Sequence, residues 1–314
     1  MSLVTAPSVF TLDDLRRWGQ TSTPLSPPPR LAVLGDPVAH SASPPMHSAA
    51  LQACGIPTSY IRLHIRPSEL AEAIPLLQIH HFLGVNLTIP HKAAVLPLVD
   101  HLDPSAQRLG VANTLAFRPN GITAYNTDGG GLVRAIQDDF GVPLGSLHAL
   151  ILGAGGGAGR AIAIQCLLEH CPSLTLVNRT HAKAEALALE LRSLASQLNL
   201  PQRPSIQAIP WNAPELQDAT HKADLLLQCS SLGMQEGDPS PIPADFLQPH
   251  HRVYDTIYSR PTQLLLDAQT TGAHGANGLS MLLHQGALAF EIWFPDHTAP
   301  VDLMKRALLE SRSH

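Results

Sequence analysis

The sequence predicts an α/β protein of two domains, each built on a mainly parallel sheet. Three observations carry that prediction: short apolar runs alternate with helical stretches from Leu31 to Leu102, the pattern restarts at Leu147, and the restart opens with a glycine run, "GAGGGAG", between a strand and a helix. Alternation of this kind argues βαβ units, and strand, glycine turn, helix, strand is the order of a dinucleotide-binding half.

In the first domain the expected order is "LAVLG" as strand, "SPPMHSAALQAC" as helix, "TSYIRLHI" as strand, "SELAEAIPLLQ" as helix, "LGVNLTI" as strand and "KAAVLPLVDHL" as helix. "VANTLAF" and "ITAYNTD" flank the turn "RPNG", so they are expected to pair as a hairpin that closes the sheet. The second domain reads as strand "LHALIL", glycine turn and helix, strand "LTLVNRT", helix "HAKAEALALELRSLASQL", then strands "ADLLLQCS" and "RVYDTIYS". Two C-terminal helical segments, "GLSMLLHQGALAFEIWF" and "VDLMKRALLESR", are expected to return to the first domain. The expected boundaries are 1–30 for an N-terminal extension, 31–127, 128–275 and 276–314. In the extension Thr11 and Asp14 can cap a short helix, and Pro24 to Pro29 read as an extended linker.

Composition narrows the function. The 314 residues, 44% of them hydrophobic, suffice for two cores. A formal net charge of −5, with no basic run longer than two residues, gives no footprint for nucleic acid or an anionic membrane. With no signal-like segment and no run of 18 apolar residues, a cytoplasmic location is expected. Four cysteines without a CxxC pair suit a reducing compartment, and 17 histidines without a ligand spacing such as HExxH suggest no metal. A small molecule is the expected partner.

The glycine run names the cofactor class. Gly153, Ala154, Gly155, Gly156, Gly157 and Ala158 stand where a tight turn brings backbone amides to a pyrophosphate at a helix start. Gly153 and Gly155 fit the dinucleotide fingerprint, and either Ala158 or Gly159 fills its third position. At the end of the next strand an NAD enzyme usually carries a carboxylate for the ribose hydroxyls. Here "NRTHAK" supplies Asn178, Arg179, Thr180 and Lys183, which removes the negative charge and offers cations and a hydroxyl to a 2′-phosphate. NADP is the expected cofactor.

A second constellation gathers polar residues at strand ends. In "GVNLTIPHK", Asn86 and Thr88 share one strand face two residues before Pro90, and Lys92 follows. Their amide and hydroxyl can donate to and accept from the hydroxyls of a polyol. Ser41 and Ser43 repeat the i, i+2 spacing, although Ser43 can instead cap the helix that starts at Pro44. Asn113 lies in an otherwise apolar strand, where a buried amide needs partners. Asp128 precedes a glycine-rich helix start, where a cap and a catalytic carboxylate are both open readings.

"GDPVAHSASP", "GVNLTIPHK", "GVANT", "YNTDG", "GAGGGAG", "NRTHAK", "SSLGM" and "NGLSMLLHQGALAFEIW" stand in the order found in shikimate dehydrogenases, so residues 31 to 295 resemble that family. The resemblance implies a two-domain α/β enzyme that reduces 3-dehydroshikimate to shikimate with NADPH, its substrate domain first and a Rossmann domain second. It implies Lys92 and Asp128 as the catalytic pair, and Ser41, Ser43, Asn86, Thr88, Asn113, Gln285 and Tyr258 as the substrate shell. It adds Gly278 to the cofactor residues, and a monomer or homodimer. Gln285 has support of its own, since Gly278, Met281 and Gln285 would fall on one helical face. The sequence departs from the family in a glycine loop one residue longer, in "QCSSLGM", in the histidine before Lys92 and in a shortened "YSRPTQLL". A broader dehydrogenase that also takes quinate is the close alternative. A non-catalytic ligand-sensing module is the distant one, and Lys92 and Asp128, both present, argue against it.

Overall fold

The computed structural model describes residues 9–19, 25–198, 200, 202–212 and 214–311; residues 1–8 and 20–24 of the expected extension lie outside the described residues. In chain order the first elements are β1 (Phe10–Thr11), α1 (Leu12–Arg16), β2 (Pro29–Gly35), α2 (Ser43–Ala53), β3 (Ser59–His64), α3 (Leu70–Ile79), β4 (Gly84–Leu87), α4 (His91–Ala94), β5 (His101–Leu102), α5 (Pro104–Leu109), β6 (Thr114–Arg118), β7 (Gly121–Tyr125) and α6 (Asp128–Phe140). Then come β8 (His148–Leu152), α7 (Gly157–Leu168), β9 (Ser173–Asn178), α8 (His181–Gln197), β10 (Ser205–Pro210), α9 (Glu215–His221), β11 (Leu225–Gln228), β12 (Arg252–Asp255), α10 (Gln263–Thr271), β13 (His274–Asn277), α11 (Leu279–Trp293) and α12 (Val301–Glu310).

These form two compact units, residues 1–131 with 282–314, and residues 132–281. The divisions fall inside α6 and α11, a few residues past the boundaries expected at 127/128 and 275/276.

The first unit holds a seven-stranded sheet in the order β1-β3-β2-β4-β6-β7-β5. β6 and β7 pair antiparallel as expected, but they do not close the sheet, because β5 adds a parallel edge outside β7. The long helix expected over 92–102 is broken. Pro97 has no N–H with which to continue it, so α4 gives way to a 3₁₀ turn at Leu96–Leu98 and the chain extends into β5. The N-terminal segment belongs to this unit's core rather than standing apart. Phe10 and Thr11 pair in parallel with Leu63 and His64, Leu12 and Leu15 are buried, and the Trp18 ring packs 5.5 and 5.6 Å from Phe10 and Phe82. Asp14 Oδ2 accepts from the Thr11 amide and hydroxyl, each at 2.8 Å, so the expected cap forms. The proline linker ends earlier than expected, since Pro29 and Arg30 already belong to β2. α11 returns to this sheet: Trp293 Nε1–H donates to the Leu115 carbonyl at 2.9 Å.

The second unit is a six-stranded, all-parallel sheet in the order β10-β9-β8-β11-β12-β13. The order reverses between β8 and β11, and in open α/β sheets that reversal opens a crevice at the strands' carboxyl ends.

Candidate active site

β4 lies between β2 and β6 and is buried along its whole length. The amide of Asn86, 4% exposed, is met almost completely from inside the protein. Tyr60 donates to Oδ1 at 2.8 Å, while Nδ2 donates to the Asn113 carbonyl at 3.2 Å and to Thr114 Oγ1 at 3.0 Å. One Oδ1 lone pair remains, so Asn86 can accept from a ligand hydroxyl but has no hydrogen left to give. The dual role expected of it narrows to one. Thr88 stands just past the strand, and among the described residues its hydroxyl has no hydrogen-bond partner.

Lys92 sits in α4, beside a buried imidazole. His91 Nε2–H donates to the Ile65 carbonyl at 2.7 Å, and burial lowers its pKa, which favours the neutral ring. Lys92 Nζ reaches Asp128 Oδ2 at 2.6 Å, with side chains 33% and 18% exposed. The other Asp128 oxygen accepts from Asn113 Nδ2 at 2.9 Å. α6 begins at Asp128, yet the early amide of Gly129 is met by Asn126 Oδ1 at 3.2 Å. The cap comes from Asn126, and both Asp128 oxygens are turned to side chains.

Asn113, expected inside a strand, stands immediately before β6 and joins three elements. Its Oδ1 accepts from the Thr127 amide at 2.7 Å. Its Nδ2 has three acceptors in range for two hydrogens: Thr127 Oγ1 at 2.9 Å, Asp128 Oδ1 at 2.9 Å and Gln285 Oε1 at 3.2 Å. Gln285 is buried on α11 and donates to the Leu282 carbonyl at 2.8 Å. Gly278 does not share that helix face, because β13 runs to Asn277, whose side chain meets the Leu279 amide at 3.0 Å and starts α11 there. Ser43 is the first residue of α2 rather than its cap. Its amide donates to Ser41 Oγ at 3.3 Å, and its side chain bonds the Tyr60 phenol, whose pKa is raised by burial. Lys92, Asp128, Asn113, Gln285, Asn86, Ser43 and Ser41 therefore form one hydrogen-bonded assembly.

In the second unit β8 turns at Gly153, whose φ of +86° is left-handed and favours glycine. A Cβ at Gly159 would overlap the Gly153 carbonyl, so Gly159, rather than the exposed Ala158, takes the close-packing third position. Asn178 ties this turn to β9, accepting from the Gly155 amide at 3.2 Å and donating to the Thr180 carbonyl at 3.0 Å. Arg179, Thr180 and Lys183 are exposed beside it. A Cβ at Gly157 would meet open space, and the first-turn amides of a helix have no partner within it. An exposed glycine cradle with two cations and no carboxylate fits NADP. Tyr258 lies on the loop after β12, which buried Asp255 holds through the Ile257 amide at 3.0 Å and Thr262 Oγ1 at 2.6 Å.

Residues 33–115 match the shikimate dehydrogenase substrate binding domain and residues 278–309 the shikimate 5'-dehydrogenase C-terminal domain. A shikimate dehydrogenase (NADP(+)) of Symbiobacterium thermophilum is 40% identical over 92% of this chain and 96% of its own. The chain belongs to the shikimate dehydrogenase family. Among solved shikimate dehydrogenases, one from Thermus thermophilus in complex with NADP(H) and shikimate superposes with a TM-score of 0.77 at 34% identity, covering 90% of this chain and 99% of that one. Quinate dehydrogenase from Corynebacterium glutamicum, in complex with NAD, has a TM-score of 0.78 at 25% identity, covering 90% and 99%. In this member of the shikimate dehydrogenase family, sequence reasoning missed Tyr60, Asn126 and Thr127, which orient the polar shell, and Asp255, which holds the Tyr258 loop. "YNTD" carried the signal for two of them, since a polar pair before Asp128 can take over the capping.

Proposed function

We propose that the chain catalyses the NADP-dependent, reversible reduction of 3-dehydroshikimate to shikimate, with Lys92 and Asp128 as its acid–base pair. The observation that carries this reading is the Lys92–Asp128 contact at 2.6 Å, joined through Asn113 to Gln285. When bound, NADPH supplies the hydride. Gly153 to Ala158 would hold its pyrophosphate, and Arg179, Thr180 and Lys183 its 2′-phosphate. The chain must then protonate the oxygen of the reduced carbonyl. Lys92 keeps two N–H donors beyond the one aimed at Asp128, so it can stabilise that oxygen's developing charge and pass it a proton; oxidation needs the same amine as base. Asp128, fixed by Asn113, holds the Lys92 ammonium in place. Thr88, Asn86 and Gln285 offer the ring hydroxyls a free hydroxyl, an acceptor and an amide.

The test is absorbance at 340 nm with shikimate or quinate, each with NADP and with NAD. Shikimate turnover with NADP is expected, and its absence overturns the reading. A wider range that includes quinate is the second reading, favoured by the likeness to a quinate dehydrogenase. Arg179→Ala is expected to weaken NADP by about 1.5–3 kcal/mol while sparing NAD, because one charge-assisted phosphate contact is lost. Equal losses in Kd for both cofactors would remove Arg179 from the phosphate site. We further propose a cytoplasmic monomer or homodimer, its assembly to be read by light scattering.

A further inference from the structure

α11 carries Gln285 to Asn113, and three glycines let that helix sit deep in the first unit. A Cβ on Gly84 of β4 would overlap Trp293 Nε1, and one on Gly286 would overlap Met46 Cε of α2. One on Gly131 of α6 would stand 2.9 Å from both the Cβ and the amide nitrogen of Gln285. Of these three, only Gly131 abuts a residue of the polar assembly. It is buried and its φ is not left-handed, so no turn requires a glycine there. Alanine is also the better helix former. What the glycine supplies is close approach of one backbone to another. Carbon atoms in ordinary contact stand about 3.5–4.0 Å apart, so a methyl at 131 must drive Gln285 back by roughly half an ångström. The Gln285 amide nitrogen is a main-chain atom, and it yields only if α11 shifts. The Asn113–Gln285 bond, at 3.2 Å, is already at the long end of an N–H···O contact, and that retreat breaks it. The neighbouring Gly130 is different, because a Cβ there would meet only Leu288 Cδ1 at 2.9 Å, the free end of a half-buried side chain.

We propose that Gly131 is a positioning residue of this site: by lacking a side chain it lets α6 and α11 approach until the Gln285 amide reaches Asn113 and the substrate's hydroxyls. The effect runs through that one amide. With Gln285 withdrawn, Asn113 Nδ2 still has Thr127 Oγ1 and Asp128 Oδ1 as acceptors for its two hydrogens, so the Lys92–Asp128 contact stands. Gly131 therefore acts on the grip of the substrate and not on the acid–base pair. Its part in turnover rests on the dehydrogenase reading above, whereas the seat of α11 does not.

The experiment records kcat and KM for shikimate in the wild type, Gly131→Ala, Gly130→Ala, Gln285→Ala and the Gly131→Ala, Gln285→Ala double variant, with crystal structures of the first three. Gly131→Ala should raise KM about 10–100-fold, as for a hydrogen bond lost in a closed site, with kcat changing far less. In the Gln285→Ala background the same substitution should cost no more than about twofold further. The main-chain overlap persists there, so any fall in melting temperature should be alike in both backgrounds. Gly130→Ala should stay close to wild type. In the crystals the Asn113–Gln285 contact should open past hydrogen-bond distance in Gly131→Ala and persist in Gly130→Ala. Equal kinetic costs of Gly131→Ala in the two backgrounds, or a retained contact, would mean that this glycine only packs α6, and the proposal is overturned. Should Gly131→Ala fail to fold, Gln285→Asn withdraws the amide by one methylene without moving α11, and a wild-type KM in that variant overturns the proposal instead. A wild type inactive on shikimate overturns the functional reading alone, and the Asn113–Gln285 distance in the crystals then decides the seat.

Discussion

Lys92→Ala should lose roughly 10²–10⁴ in kcat, the range of a positioned acid–base group, while keeping its fold and its affinity for NADP. The side chain is one-third exposed and its Nζ bonds Asp128 rather than the core, so its removal opens no cavity. The cofactor residues Gly153 to Lys183 belong to the other compact unit. Asp128→Asn is the companion. Asn126 supplies the cap at Gly129, and an asparagine oxygen can still accept from Asn113, so the start of α6 survives the change. Only the charge opposite Lys92 is lost. The melting temperature should move little while kcat falls strongly. Both quantities measured on one preparation decide the matter, and a stable Asn variant with wild-type kcat would sink the pair.

Acid should destabilise the first unit through a histidine far from any proton-transfer role. His47 is fully buried on α2, stacked on Tyr60 at 4.4 Å and 9°. Neither ring nitrogen has a hydrogen-bond partner. Burial, the larger cause, pushes its pKa down to about 3, against an upward pull from the Asn86 side chain. With the folded value below the unfolded value of about 6.5, the neutral ring's contribution is complete above pH 6.5 and is lost as pH falls toward 3. The slope is about 1.4 kcal/mol per pH unit, so roughly 2 kcal/mol is gone by pH 5. His47→Phe keeps a ring against Tyr60 and cannot take a proton, so it should flatten this part of the acid limb. Buried His91 and His251, whose pKa values are also lowered, should retain theirs. Urea unfolding at pH 8 and pH 5 measures the difference, and an unchanged pH dependence in the Phe variant would refute the assignment.

The parts of this protein legible in the sequence are those whose chemistry resides in residue type. The glycine turn before α7, the uncharged Asn178 with its cations, and the polar positions 86, 88, 92, 113 and 128 all announce themselves, because polar residues of these types stand in or close to the ends of apolar strands. Apart from the six-residue β10, the missed strands are short or lack strand-forming residues. β1 has two residues, and β13 is "HGAN", a strand only because β12 offers it an edge. Pairings across long separations were equally hidden. Asn113 meets Gln285 across 172 positions, and nothing in either residue names the other. Arg62 reads as one more polar residue in a strand, and nothing in the sequence shows that it grips the Ser41 carbonyl.

The first unit is discontinuous: residues 132–281 are inserted between its body and its last helices. A ribosome making this chain therefore completes the dinucleotide-binding unit while the other still waits for α11. Until then Trp293 is missing from its place over Gly84 and Leu115, and Asn113 has no Gln285 to meet. The substrate unit therefore receives its closing helices only after the whole cofactor unit has been synthesised.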